Sequence, residues 1–142
     1  MSSTALAGWT VTSRDSIALA AGPVSNIRDL SGVTYLGPQA GGIERFAAIQ
    51  DENRRIVTFD VSFAANGAIN SATAVSALTL GPNLDYEGIA YTGPVRNNVF
   101  VSEETTPTVR DFKLGTGELL QTLTMPGVFA NDRDNRGLES LA

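Results

Sequence analysis

Asp29-Leu30-Ser31-Gly32-Val33-Thr34-Tyr35-Leu36-Gly37-Pro38 returns later in the chain as Asp85-Tyr86-Glu87-Gly88-Ile89-Ala90-Tyr91-Thr92-Gly93-Pro94. Gly88 follows Gly32, and Pro94 follows Pro38, at the same offset of 56 residues. A self-similar unit of this length, built from short β-type runs, marks a repeat architecture. Leu138-Glu139-Ser140-Leu141-Ala142 opens a third copy, so the segment reads as part of a larger protein.

Working outward from the repeat, strand signals dominate. Trp9 to Thr12 and Ser16 to Leu19 are short apolar or alternating runs, and Gly22-Pro23 breaks the second. Gly32 to Leu36 reads as a strand closed by Gly37-Pro38, followed by Arg45 to Ile49 and Arg55 to Val61. Asn66-Gly67 is a tight-turn dipeptide. The stretch Ile69 to Leu80 is looser, and Thr and Val dilute any helical turn within it. The second unit repeats the order, with Gly88 to Thr92, Asn98 to Ser102, Val109 to Leu114 and Leu119 to Met125.

Each unit is thus a four-stranded antiparallel meander, which matches one blade of a β-propeller. The expected fold is all-β and propeller-type but incomplete: flanking strands over 1–28, one blade over 29–84, a second over 85–130 and the start of another over 131–142. The competing architecture is an antiparallel sandwich with two similar hairpin pairs. The propeller is favoured because the repeat preserves acidic positions and punctuation, whereas duplicated hairpins need preserve only apolar alternation. In a propeller the two first strands occupy separate blades and do not pair with each other. An open arc of blades leaves apolar edges exposed, so self-association through those edges is expected.

Composition removes several classes of chemistry. The chain has no histidine and no cysteine, so neither a Ser-His-Asp triad nor a thiolate or His-based zinc site can be built within it. The net charge is −5 and the pI about 4.6, with no basic cluster beyond Arg54-Arg55, so nucleic acid is not an expected partner. No apolar run approaches the roughly 18 residues needed to cross a bilayer, and no membrane insertion is expected. Met1 to Trp9 lacks the basic start and apolar middle of a signal peptide.

What remains is oxygen chemistry. In a meander blade, the loop before the first strand and the loop after the second share one end of the fold. These loops carry Asp29 and Ser31, then Asp51-Glu52, in the first unit, and Asp85 and Glu87, then Glu103-Glu104, in the second. Pairing Ile56 with Val109 and Phe59 with Phe112 also pairs Asp51 with Glu104. Converging carboxylates repel unless a cation or shared protons relieve them. Hard oxygen ligands in loops suit Ca²⁺. The bland alternative is that each acid serves its own turn, as Asp before a Gly-containing turn often does.

The ordered set Asp29-Leu-Ser-Gly-Val-Thr-Tyr, Phe46-Ala-Ala-Ile-Gln-Asp51, Asp85-Tyr-Glu-Gly-Ile-Ala-Tyr, Val99-Phe-Val-Ser-Glu-Glu104 with Pro107, and Asn135-Arg-Gly-Leu-Glu139-Ser-Leu resembles the phytase-like propeller family described as having the esterase-like activity of phytase. The resemblance covers roughly residues 25 to 142. It implies a propeller, usually from an exported bacterial protein, with a calcium-dependent hydrolase site. Carried over by position, Asp85, Glu87, Glu104, Asn135 and Glu139 match its acidic signatures as metal ligands, with Glu87 and Glu104 as the catalytic candidates. The expected substrate is a small-molecule phosphoric or carboxylic ester, attacked by an activated water. The alternative function is a non-catalytic propeller that uses the same loops as a binding or scaffold surface.

Overall fold

The computed structural model describes residues 16–51, 53–129 and 141, and these form two four-stranded antiparallel meanders. The first comprises β1 (Leu30–Gln39), β2 (Ile43–Gln50), β3 (Arg55–Phe63) and β4 (Ile69–Thr79) in that spatial order. The second comprises β5 (Tyr86–Tyr91), β6 (Asn98–Glu103), β7 (Thr108–Lys113) and β8 (Leu119–Thr124), again in chain order. A short 3-10 turn, Gly127–Phe129, follows. Among the described residues no helix is long and apolar enough to cross a membrane. The all-β, blade-like organisation matches the expectation from the repeat, and β1 and β5 lie in separate sheets.

Each blade reproduces the same local detail. Leu30 faces Gln50 and Val33 faces Ala48, so Ser31-Gly32 bulge opposite a single residue of β2. Tyr86 faces Glu103 and Ile89 faces Val101, so Glu87-Gly88 bulge in the same way on β5. The backbone entry matches too: the Asp51 N–H donates to the Asp29 carbonyl (3.2 Å), and the Glu104 N–H donates to the Asp85 carbonyl (3.0 Å). The pairing of Asp51 with Glu104 drawn from strand alignment is therefore a structural equivalence.

The core is the seam between the sheets. Ala47, Ile49, Ile56 and Leu80 from the first half meet Tyr86, Ile89, Val99, Val101 and Phe112 from the second, all at 0–1% exposure. Alternation along the strands delivers these side chains to one face, and burying each large one contributes roughly 1.5–3 kcal/mol. Phe112 packs edge-on to Tyr86 with ring centroids 6.2 Å apart. The inner strands approach so closely that a Cβ on Gly32 would lie 2.8 Å from both the Glu87 carbonyl oxygen and the Ile89 nitrogen. The Tyr91 N–H also reaches across to Thr34 Oγ1 at 3.1 Å.

Three stretches differ from the sequence reading. Ile69 to Leu80 is not loose: β4, of 11 residues, is the longest strand among the described residues, paired along β3 with two register shifts that absorb its irregular pattern. Ser16 to Leu19 is not a strand; only Ala20 makes a bridge, parallel to Thr73 at the outer edge of β4. Gly22 passes so near the Ala74 carbonyl that a side chain there would collide with it. β1 runs through Gly37-Pro38 to Gln39, because an edge strand tolerates a proline that lacks an outward N–H. The run Trp9 to Thr12 lies outside the described residues.

Candidate functional site

Four chain segments meet at one end of the two meanders: the approach to β1, the β2–β3 and β6–β7 turns, and the β4–β5 link that leads into β5. At this end one carboxylate oxygen from each of Asp51, Asp85 and Glu87 lies within 4.8 Å of the other two. All three residues are half-buried. Asp51 comes from the first sheet and the other two from the second, so the cluster straddles the seam and neither blade builds it alone.

Local backbone explains each placement. Asp51 opens a tight turn closed by the Arg54 N–H on its carbonyl (2.9 Å). Asp85 is fixed by the Glu104 N–H on its carbonyl, and Thr105 Oγ1 approaches its carboxylate at 3.5 Å. Glu87 occupies the β5 bulge, a feature that re-aims a side chain out of the regular alternation. Its neighbour Gly88 is held by a 2.8 Å bond from its N–H to Ser102 Oγ. Beneath them Tyr86 is fully buried, and burial pushes its phenol pKa upward. A cleft of about 350 Å³ opens here, lined by Asp51, Asn83, Leu84, Asp85, Glu103, Thr105 and Thr106.

Carboxylates this close repel one another when charged. A cation is the direct remedy, and the donor set suits a hard one. Ca²⁺–oxygen bonds of about 2.3–2.6 Å put oxygens on opposite sides of the ion up to about 5 Å apart, which accommodates the observed 4.8 Å spread. Asp51, Asp85 and Glu87 therefore fit a calcium-sized ion in number, charge and reach, with carbonyls or water completing its shell.

The adjacent pair Glu103-Glu104 divides into two environments. Glu103 is fully buried; its Oε1 accepts the Thr106 N–H at 2.8 Å and its Oε2 the Thr108 hydroxyl at 3.2 Å. It braces the β6–β7 turn. Glu104 is 8% exposed, and its carboxylate is not one of the three that converge. Asp29 lies at the same end but adopts a left-handed backbone (φ 49°) and pairs with Arg28 at 3.5 Å, its side chain half exposed. Asn135 and Glu139 lie outside the described residues. The sequence placed Asp51 at this end without including it among the ligands. The missing signal was the seam: the β2–β3 turn of one blade reaches the inner strand of the next.

A family model described as "Phytase-like: Esterase-like activity of phytase" matches residues 25–142. No curated protein matches the chain.

Proposed function

The chain belongs to the phytase-like family with the esterase-like activity of phytase, and from that premise we propose that it hydrolyses phosphoric or carboxylic esters with a calcium ion held by Asp51, Asp85 and Glu87. The observation that supports this reading is the convergence of those three carboxylates across the inter-sheet seam. When bound, the ion would polarise an ester oxygen and lower the pKa of a bound water.

The protein's own groups do the remaining work. Asp51 and Asp85, each fixed by its backbone bond, set the ligand geometry. Glu87, carried on the bulge, supplies the third oxygen, and its second oxygen is the group to accept a proton from the attacking water. Glu104 acts as a positioning residue, since its N–H holds the Asp85 carbonyl. Thr105 and Thr106 offer hydroxyls at the cleft wall.

The test is hydrolysis of 4-nitrophenyl phosphate and 4-nitrophenyl acetate by the parent, with and without a calcium chelator, beside Asp85→Asn. Turnover lost in both the chelator and the variant supports the proposal. Turnover unaffected by either removes the metal, and absence of turnover in calcium removes the hydrolase in favour of a binding module.

A further inference from the structure

The seam joins the forward face of the first sheet to the rear face of the second. Ala47 and Ile56 belong to that forward face, and Ile89, Val99 and Phe112 to the rear face that covers it. Both kinds of surface recur at the open sides of the pair. By the strand equivalences, Phe100 and Val109 of the second blade stand where Ala47 and Ile56 stand in the first. Val33, Phe46 and Phe59 of the first blade stand where Ile89, Val99 and Phe112 stand in the second. One copy of the chain therefore presents a further forward face and a further rear face, of the two kinds that already pack together.

The forward face of the second blade is hollowed into an apolar groove of about 220 Å³, lined by Ala90, Phe100, Val109, Leu123 and Met125. Leu141 lines it as well, yet Leu123 stays 42% exposed, so the groove is not closed. Asp111 shares this face, being paired with Phe100, and so does Asn98, two residues before Phe100 on the same strand. Both are more than nine-tenths buried, and Oδ1 of each lacks a donor among the described residues. Buried acceptors are seldom left so, and a covering surface removes the deficit. On the rear face of the first blade, Val33 and Tyr35 are the open residues, beside the half-buried Phe46. Tyr35 stands at the position of Tyr91, which packs into the seam. Gly32, which gives the inner strand of the seam its close approach, is repeated as Gly88.

We propose that a second copy of this chain docks head to tail, the rear face of its first blade covering the forward face of its neighbour's second blade. Val33 and Tyr35 of one copy then enter against Ala90 and Phe100 of the other, as Ile89 and Tyr91 enter the internal seam. One bond of that seam is not repeated. Thr34 Oγ1 receives the Tyr91 N–H, whereas the position of Thr34 is held by Ala90 in the second blade. The junction between copies therefore rests on apolar burial and is weaker than the seam within one copy. Such a contact uses different surfaces on its two sides and leaves one of each free. Association then continues past two copies until the array closes. Asp51, Asp85 and Glu87 have no part in the junction, which stands apart from the hydrolase reading.

Analytical ultracentrifugation of the full chain over a range of concentrations tests the junction. The mass of the parent is expected to rise with concentration past two copies. Val33→Glu spoils the rear face and Leu123→Glu the forward face. Both residues are exposed, so the variants should fold, and thermal unfolding checks that they do. Each variant alone should associate at least tenfold more weakly than the parent. Mixed in equal amounts, the two variants still offer one sound face of each kind, and they should form a complex of two copies and no larger. A parent that remains a single copy up to its solubility limit overturns the inference, and would mean that the segment around Leu141 closes the groove within one copy. Variants that associate as the parent does overturn it too. So does a mixture that stays as single copies, because the two faces would then not be partners.

Discussion

The two blades carry equivalent positions in opposite environments. In the second, Ile89, Val99 and Phe112 are fully buried and Tyr91 is partly so, because this face packs on the first blade. Their counterparts Val33 and Tyr35 are 59% and 48% exposed, and Phe46 and Phe59 are half-buried. Among the described residues, Val24 and Ile27, from the segment before β1, pack on that side with Val57, Ala74 and Phe59. The aromatics there lean on one another instead, with ring centroids 5.2 and 5.7 Å apart along Tyr35, Phe46 and Phe59. Core character in this fold is therefore conferred by the neighbouring blade and not by the residue's place in its own strand.

The sharpest way to break that comparison is to truncate equivalent rings. Phe112→Ala should cost about 3–5 kcal/mol in urea unfolding. Phe59→Ala should cost less, roughly 1–2 kcal/mol, because its ring is only partly buried. Equal losses would mean that both faces are covered alike in solution.

The seam itself is tested at Gly32. Gly32→Ala drives a Cβ against the β5 backbone and should destabilise by about 1–3 kcal/mol. An unchanged midpoint would show that the inner strands do not approach as closely as the structure has them.

The acidic ends of the blades supply the next contrast. Asp85→Asn should weaken calcium binding at least tenfold, a loss of about 1.4 kcal/mol or more, whereas Asp29→Asn at the equivalent position should change it less than threefold. Isothermal calorimetry separates the two, and comparable losses would move the site toward the first blade.

The smallest effect concerns a cross-strand pair present in one blade only. Arg45 binds Asp60 through two bonds of 2.7 and 2.8 Å; the corresponding positions in the second blade are Asn98 and Lys113. The Arg45 bond holds the Asp60 carboxyl below its usual range. A depressed acid stabilises the fold above its unfolded pKa, and that contribution is lost as pH falls through the folded value. The pair is partly solvated, so Asp60→Asn should cost about 0.5–1 kcal/mol at neutral pH. The parent–variant gap should close in strong acid, and a gap that persists there would point to packing instead of charge.

Much of this was legible because a repeat constrains two stretches at once. The two four-stranded meanders, the matched Asp29 and Asp85, and the turn equivalence of Asp51 with Glu104 all follow from the offsets. What escaped depended on contacts that the strand pattern itself does not record. Ile69 to Thr79 looked irregular because its register shifts are absorbed by pairing with β3, which its own alternation does not record. Glu103 and Glu104 are adjacent identical residues, and only the fold reveals that one braces a turn. Asn83 sits in a link with no periodicity, so nothing in the chain marks it as part of the cleft wall.

The paired bulges have a further consequence. The same backbone kink lifts residue 31 in one blade and residue 87 in the other, yet one carries a serine and the other a glutamate. The scaffold thus fixes where a side chain is presented independently of what is presented. A blade of this type is an interchangeable socket: a substitution at the kink can install or retire a charge while the strand ladder around it stays intact. Chemistry could then migrate around an array of such units by single replacements, with no remodelling of the framework that holds them.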